Sequence, residues 1–245
     1  MSMPNTPPQG MGEALQRLKG VQKNSKGAPL YSLLVNRPLG RLFAAAAFQV
    51  GMTPNQVTLV SAVFTYSGIA LLALAPIAVW AGLVACALLV LGYALDSADG
   101  QVARLTGGGS LVGEWLDHVV DSGKIATLHV AVLVAFYRAG ADPLWLGVPL
   151  IFMVFYVVHF FGMLLTELLT RLYRAERSLS KPEASSSRAM SILKLPTDYG
   201  VLCLAFAVWG FFPIFRWVYL LLALAMAGYT ILVLGKWYRE LNALR

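Results

Sequence analysis

Long runs of apolar residues, separated by short polar stretches, dominate the pattern of this chain. Residues 57–95 contain no Asp, Glu, Lys or Arg. One membrane crossing needs about 20 apolar residues, and Pro76 interrupts this longer run, so we expect two helices there. The same pattern along the rest of the chain predicts an all-α polytopic membrane protein with six transmembrane helices, near residues 56–75, 78–104, 111–138, 143–173, 197–213 and 215–238.

The residues before the first transmembrane helix form two segments of different character. Residues 1–28 are polar and rich in Gly, Pro, Gln and Asn, which predicts a disordered N-terminus. Residues 29–52 mix apolar side chains with Arg37 and Arg41, which indicates an amphipathic helix lying in the membrane interface. Thr53 followed by Pro54 is a helix-start pattern, so residues 53–240 are predicted to form the membrane domain.

Composition and charge support this assignment and suggest an orientation. The chain is 58% hydrophobic and 13% charged, which excludes an ordinary soluble domain. Six helices would place both termini on the side that carries most Lys and Arg residues, with only Arg138 and Arg216 opposite. The positive-inside rule then predicts a plasma-membrane protein with cytoplasmic termini. The net charge of +7 suits contact with anionic lipid, and a nucleic-acid partner is not expected because the charges are not clustered on a soluble face.

Four aspartates lie where two of the predicted helices meet. Asp96 and Asp99 are three residues apart and Asp117 and Asp121 are four apart, so each pair shares one helix face. Charged groups at membrane depth are costly and indicate a functional site. Two such faces side by side would bring the carboxylates together, and a cation is needed to offset their repulsion. Oxygen ligands of this kind suit Mg²⁺, Mn²⁺ or Ca²⁺.

The same string, D-x2-D-G-x2-A-R-x8-G-x3-D-x3-D, resembles the signature of the CDP-alcohol phosphotransferase family of membrane enzymes in phospholipid synthesis. All eight signature residues are present: Asp96, Asp99, Gly100, Ala103, Arg104, Gly113, Asp117 and Asp121. The resemblance implies that a substituted phosphate passes from a CDP-linked donor to a hydroxyl acceptor and that CMP is released. It also implies membrane-lipid partners and a homodimer.

Metal-assisted phosphoryl transfer gives the aspartates their expected roles. Two Mg²⁺ or Mn²⁺ ions held by shared carboxylates can clamp a diphosphate and polarise the phosphorus. Asp96, Asp99 and Asp117 are the first choices for ligands. The resemblance implies that Asp121 is either a further ligand or the base that deprotonates the acceptor.

The small and polar signature residues are candidates for the nucleotide site. The resemblance implies that Gly100, Ala103 and Gly113 frame the cytidine, while helix packing is the alternative explanation for small residues. Arg104 has two interpretations, a phosphate contact or a cation that snorkels from a helix end. Asn55 and Thr58 belong to a TPN-x-x-T stretch that also resembles the family, and either cap the helix or contact the donor.

Glu114 and His118 offer a second candidate for the base. They are four residues apart and share a face beside Asp121. The stretch from Ser110 to His118 resembles the choline- and ethanolaminephosphotransferase branch, where a Glu–His pair is implicated as the base. A histidine oriented by a carboxylate is a better base at neutral pH than an aspartate on a metal. Hydrogen bonding within the bundle is the alternative role for His118.

A divalent-cation transporter, or a carboxylate-lined ion-binding protein, is the main alternative to an enzyme. Transport would predict polar residues distributed along the membrane depth. Instead, five of the twelve acidic residues fall within residues 96–121, at one end of the helices, which favours the enzyme. The substrates stay open between two branches. One uses CDP-diacylglycerol with a small polar alcohol, and the other uses a CDP-linked head group with a lipid alcohol.

Overall fold

A computed structural model describes residues 10–20, 29–179 and 197–244, which are helical with short connections. A π-helical turn, Ser32–Asn36, leads directly into the second helix, and a 3₁₀ turn, Phe206–Val208, follows the seventh. The helices are α1 (Met11–Gly20), α2 (Arg37–Gln49), α3 (Pro54–Leu74), α4 (Val79–Leu105), α5 (Leu111–Arg138), α6 (Pro143–Glu176), α7 (Tyr199–Ala205) and α8 (Phe212–Asn242).

The prediction of an all-α polytopic membrane protein is confirmed. Within the described ranges, five helices are long and apolar enough to cross a membrane: α3, α4, α5, α6 and α8. The predicted crossing over 197–213 corresponds to the short helix α7, which ends at Ala205, and the turn Phe206–Val208, so six long membrane helices are not confirmed. Ten helical residues span only about 15 Å, half of a bilayer core. Phe206 and Trp209 are fully buried, so packing in the bundle explains the apolar character of this segment.

Side-chain caps determine where α3 and α5 begin. Thr53 and Gln56 form the reciprocal capping box of α3, with Pro54 in the first turn, as the sequence predicts. Ser110 caps α5 by accepting a hydrogen bond from the Gly113 N–H at 3.0 Å. Between α4 and α5 the chain reverses at Gly107 and Gly108, whose φ angles of 99° and 130° favour glycine. This short turn places the end of α4 beside the start of α5.

Close packing of α3 against α4 sets the frame of the bundle. The Ser61 hydroxyl donates to the Gly92 carbonyl at 2.8 Å, and a Cβ at Gly92 would collide with the Thr65 hydroxyl. A small residue is therefore required at this crossing, as is common in membrane bundles. On its other side α5 packs against α6, and α6 packs against α8.

The N-terminal segments pack beside α4. The sequence predicts disorder over 1–28, but residues 11–20 form helix α1, with Ala14 and Leu18 fully buried. Leu18 packs in a small apolar cluster with Ala44, Val57 and Val102, a set of contacts that local composition does not reveal. The remaining parts of that prediction, and most of the polar loop expected over 174–195, lie outside the described residues. The predicted juxtamembrane helix corresponds to Ser32–Asn36 and α2.

Candidate active site

Three of the four signature aspartates converge at the end of α4 and the start of α5. One carboxylate oxygen from each of Asp96, Asp99 and Asp117 lies within 4.8 Å of the other two. The spacing explains this arrangement: Asp96 and Asp99 share a face of α4, and that face meets α5 near its N-terminal end. These three oxygens form a compact, hard donor set, suited to a divalent cation.

The fourth aspartate belongs to an adjoining group on α5. One ligand atom from each of Asp117, His118 and Asp121 lies within 4.8 Å of the others. Asp117 therefore belongs to both groups. The structure thus arranges the expected four-carboxylate cluster as two overlapping sets, and it adds a histidine nitrogen to the second.

A buried lysine, which the sequence analysis did not single out, joins the two sets. The Lys124 ammonium lies 2.8 Å from an Asp96 oxygen and also contacts Asp121. Its side chain is 5% exposed, and its ammonium lies 5.6 Å from the centre of the Tyr199 ring. A single Lys in an apolar helix, three residues after a signature aspartate and hence on the same face, is the signal that identifies it.

Thr58 connects α3 to the aspartate group. Its hydroxyl donates to Asp99 at 2.6 Å and lies 3.2 Å from the Pro54 carbonyl. Thr58 is almost completely buried. The sequence suggests that Thr58 either caps the helix or contacts the donor. The geometry indicates a different role, which is to orient the Asp99 carboxylate. The Asp99 carboxylate also accepts a hydrogen bond from the Gly100 N–H.

Asn55 and Gly113 face each other across the mouth of the site. A Cβ at Gly113 would lie 3.0 Å from the Asn55 side-chain oxygen. A Cβ at Gly100 would lie 3.5 Å from an Arg104 guanidinium nitrogen, so that side chain folds back along its own helix. The Arg104 Nε is buried and has no hydrogen-bond partner among the described residues. These glycines keep open a space that larger side chains would fill.

Ala103 contributes chiefly to the end of α4. Its carbonyl accepts the Gly108 N–H at 2.8 Å and lies 3.2 Å from the Thr106 hydroxyl. Both contacts help to terminate the helix. The structure therefore gives Ala103 a local role, and its small side chain is partly exposed beside Arg104.

The structure does not pair Glu114 with His118. Glu114 instead accepts a hydrogen bond from Arg171 of α6 at 2.9 Å, and both side chains are substantially exposed. The hydrogen bonds of the described residues include none between Glu114 and His118, and the Nδ1 atom of His118 is buried without a partner. His118 lies beside Asp117 and Asp121, and the centre of its ring lies 6.3 Å from the centre of the Phe160 ring.

An apolar groove opens from His118 between α5 and α6. Its volume is about 470 Å³. Most of its lining is apolar, and Glu114 and His118 are its two ionisable residues. The other lining residues include Trp115, Val119, Phe160, Phe161, Leu164 and Leu168. A groove of this composition suits a hydrocarbon chain.

Asp198 ties the juxtamembrane segment to the bundle close to the site. Its carboxylate accepts the Ser32 N–H at 3.0 Å and the Gly200 N–H at 3.0 Å, and the Tyr93 hydroxyl lies 3.4 Å away. Burial raises the pKa of the Asp198 carboxyl above its ordinary value, and burial likewise raises the pKa of Tyr31 to about 12. The cap of α7 is therefore also a tertiary anchor.

Together, the helical membrane fold and the carboxylate cluster at one end of it define a class of integral membrane enzymes that act on phosphate esters. A sequence model of the family described as CDP-alcohol phosphatidyltransferase matches residues 51–230. The chain belongs to this family. It is accordingly a metal-dependent transferase of phospholipid synthesis, which moves a substituted phosphate group from a CDP-linked donor to an alcohol.

Two solved structures share the fold, and both are of phosphatidylinositol phosphate synthase from Mycobacterium tuberculosis. The structure with CDP-DAG bound has a TM-score of 0.54 and 22% identity, and covers 83% of this chain and 94% of that chain. The structure in complex with manganese and citrate has a TM-score of 0.58 and 20% identity, and covers 83% and 89%. Identities this low establish a likeness of fold. No curated protein sequence matches the chain significantly.

The donor set fits the metal ion that the family implies. Asp96, Asp99 and Asp117 offer oxygen atoms that are close enough to share one ion. Among the described residues, the carboxylates outnumber the one ammonium group that contacts them, so a divalent cation would relieve their mutual repulsion. The fit rests on this convergence and on the hard character of the ligands.

Proposed function

We propose that this chain transfers phosphate at the cytoplasmic face of the plasma membrane, with a lipid as at least one of its two substrates. The observation that carries the proposal is the convergence of Asp96, Asp99 and Asp117 from two helices within 4.8 Å. A cluster of this kind has little structural value without a cation, whereas phosphoryl transfer requires one.

The aspartates would hold Mg²⁺ or Mn²⁺, with two ions as the sequence predicts. Asp96, Asp99 and Asp117 are the proposed ligands, and Asp121 is proposed as a further ligand at the edge of the group. When bound, such ions would neutralise the donor diphosphate and polarise the phosphorus under attack. Thr58 fixes the orientation of the Asp99 carboxylate by its 2.6 Å hydrogen bond.

The CDP moiety is proposed to lie between Gly100 and Gly113. The missing side chains leave space beside Asn55 and Arg104, and the buried Arg104 Nε, which has no hydrogen-bond partner in the described part of the chain, would donate to a phosphate oxygen. A guanidinium presents several donors in a geometry that matches phosphate. Ala103 would contribute only its small size.

His118 is proposed to take the proton from the acceptor hydroxyl. It adjoins Asp117 and Asp121, and it also lines the apolar groove, which would hold a lipid acceptor. An imidazole is suited to this role at neutral pH. Asp121 is the competing candidate. We propose no part in the proton transfer for Glu114, because its carboxylate pairs with Arg171.

The orientation follows from the charges around the mouth of the site. Arg104 ends α4, and Arg171 lies near the end of α6 beside the first turn of α5. Arg177 donates to the Leu244 carbonyl at 3.4 Å, so the ends of α6 and α8 lie on this side too. Basic residues gather on the cytoplasmic side of membrane proteins. A homodimer, the assembly implied by the family, is part of the proposal and is testable by mass measurement in detergent.

The decisive experiment is an assay of CMP release by the purified protein in detergent. The panel pairs CDP-diacylglycerol with glycerol phosphate, serine, inositol and inositol phosphate, and pairs CDP-linked head groups with diacylglycerol. We expect one pair to release CMP in the presence of Mg²⁺ or Mn²⁺, and release to stop in excess chelator. CMP release that persists in chelator would contradict the metal site, and release with no lipid present would contradict the lipid substrate.

A further inference from the structure

Lys124 is the one charged residue of α5 that lies buried between two aspartates of the cluster. Its ammonium lies 2.8 Å from Asp96 on α4 and contacts Asp121 on its own helix. The side chain is 5% exposed, and the Tyr199 ring of α7 covers it. The lysine thus links three helices at the floor of the site, and the eight signature positions do not include it.

A buried ammonium with two carboxylate partners has a definite electrostatic effect. Desolvating a lysine is unfavourable, and only close negative charges compensate for it. In return, the ammonium reduces the repulsion among Asp96, Asp99, Asp117 and Asp121. A divalent cation bound to the same carboxylates would perform the same task, and it would be repelled by the ammonium.

We propose that Lys124 is an intrinsic counter-ion of the aspartate cluster: it keeps the metal-free site assembled and competes electrostatically with the metal ion. The inference rests on the proposed metal site and on the contacts of Lys124 with Asp96 and Asp121. It makes Lys124 a positioning residue, because it acts on the aspartates and not on the substrate.

Competition of this kind predicts two effects of opposite sign. Lys124→Met keeps the length of the side chain and removes the charge. In excess chelator, the variant should melt roughly 10 °C below the parent protein, since two partly buried carboxylates lose their counter-ion. In saturating Mn²⁺ most of that difference should disappear. The Kd for Mn²⁺ should fall about tenfold or more, because a positive charge close to the ion has been removed.

The experiment measures thermal unfolding with and without Mn²⁺, and Mn²⁺ binding by calorimetry, in detergent. Lys236→Met is the matched control: Lys236 is exposed on α8 and pairs with Glu240 at 3.5 Å, so neither quantity should change. Lys124→Arg, which keeps the charge, should retain the metal-free stability. A melting difference that is equal with and without Mn²⁺, or an unchanged or weaker Mn²⁺ affinity, would overturn the role of Lys124.

A second variant separates charge from packing if Lys124→Met does not fold. The double variant Lys124→Met/Asp121→Asn removes one carboxylate together with the ammonium. It should be more stable in chelator than the single variant, whereas a double variant that is no more stable would overturn the inference. Absence of Mn²⁺ binding in the parent protein would overturn the proposed metal site and the competition with it. Normal parent binding without tightening in the variant overturns the inference alone.

Discussion

Substitutions at His118 and Glu114 should affect catalysis very differently, although the two residues share a helix face. His118→Ala removes the imidazole that adjoins Asp117 and Asp121, and general-base catalysis typically contributes about 10²–10⁴ in rate. Glu114→Gln removes only a 2.9 Å ion pair with Arg171. The Glu114 side chain is 38% exposed and the Arg171 side chain is 50% exposed. Exposed pairs of this type contribute roughly 0.2–1 kcal/mol.

The assay is CMP release at saturating metal, with kcat and KM determined separately for the productive substrate pair. We expect kcat of His118→Ala to fall by about 10²–10⁴ with little change in Mn²⁺ affinity. For Glu114→Gln we expect less than about a fivefold change, which corresponds to the upper value for the exposed pair. Arg171→Gln is the matched control, since it breaks the same ion pair from the other side and should reproduce the effect of Glu114→Gln.

Three outcomes bear on this reasoning. A near-normal rate for His118→Ala would return the base to Asp121. A large loss in Glu114→Gln, with a double variant no worse than either single one, would mean that the two residues act as a unit in the working enzyme. A large loss in Arg171→Gln would instead assign the ion pair itself a role in the reaction.

Three further predictions follow from the site. Substitution of each proposed metal ligand by Asn should nearly abolish CMP release while the protein stays folded in detergent; these ligands are Asp96, Asp99 and Asp117. A variant that keeps the parent rate would remove its residue from the metal site. Gly113→Leu should weaken CMP binding, measured by calorimetry, before it lowers the melting temperature, because the new side chain would meet Asn55; lost stability with unchanged affinity would favour helix packing. Thr58→Val should lower the free energy of unfolding by about 1.5–3 kcal/mol through the lost bond to Asp99, whereas no change would mean that this bond does not orient the aspartate.

Features that depend on residues close in sequence could be predicted directly. The long apolar runs indicated a polytopic helical protein, and Thr53 followed by Pro54 marked the start of α3. The spacing of Asp96 with Asp99 places both on one face of α4 because a helix repeats every 3.6 residues. These properties are local, so the order of the residues is enough to determine them.

Features that depend on which helices pack together required the tertiary structure. Glu114 is four residues from His118, but its partner is Arg171, 57 positions away on α6. Lys124 matters because α4 brings Asp96 to it, 28 positions earlier in the chain. Asp198 caps α7 through the nearby Gly200 N–H, yet it also accepts a hydrogen bond from the Ser32 N–H, 166 positions distant.

The segment after Asp198 shows the same limit in the fold itself. Its apolar residues are as compatible with burial inside a bundle as with a membrane crossing, because hydropathy reports only that a side chain avoids water. Phe206 and Trp209 are buried against neighbouring helices, and only the tertiary structure shows that they pack inside the bundle. The sequence by itself determined the aspartate faces and the membrane character of the chain. Helix packing decided the partners that come from other helices, Arg171 for Glu114 and Asp96 for Lys124, since a side chain can contact only the groups that the fold places within reach.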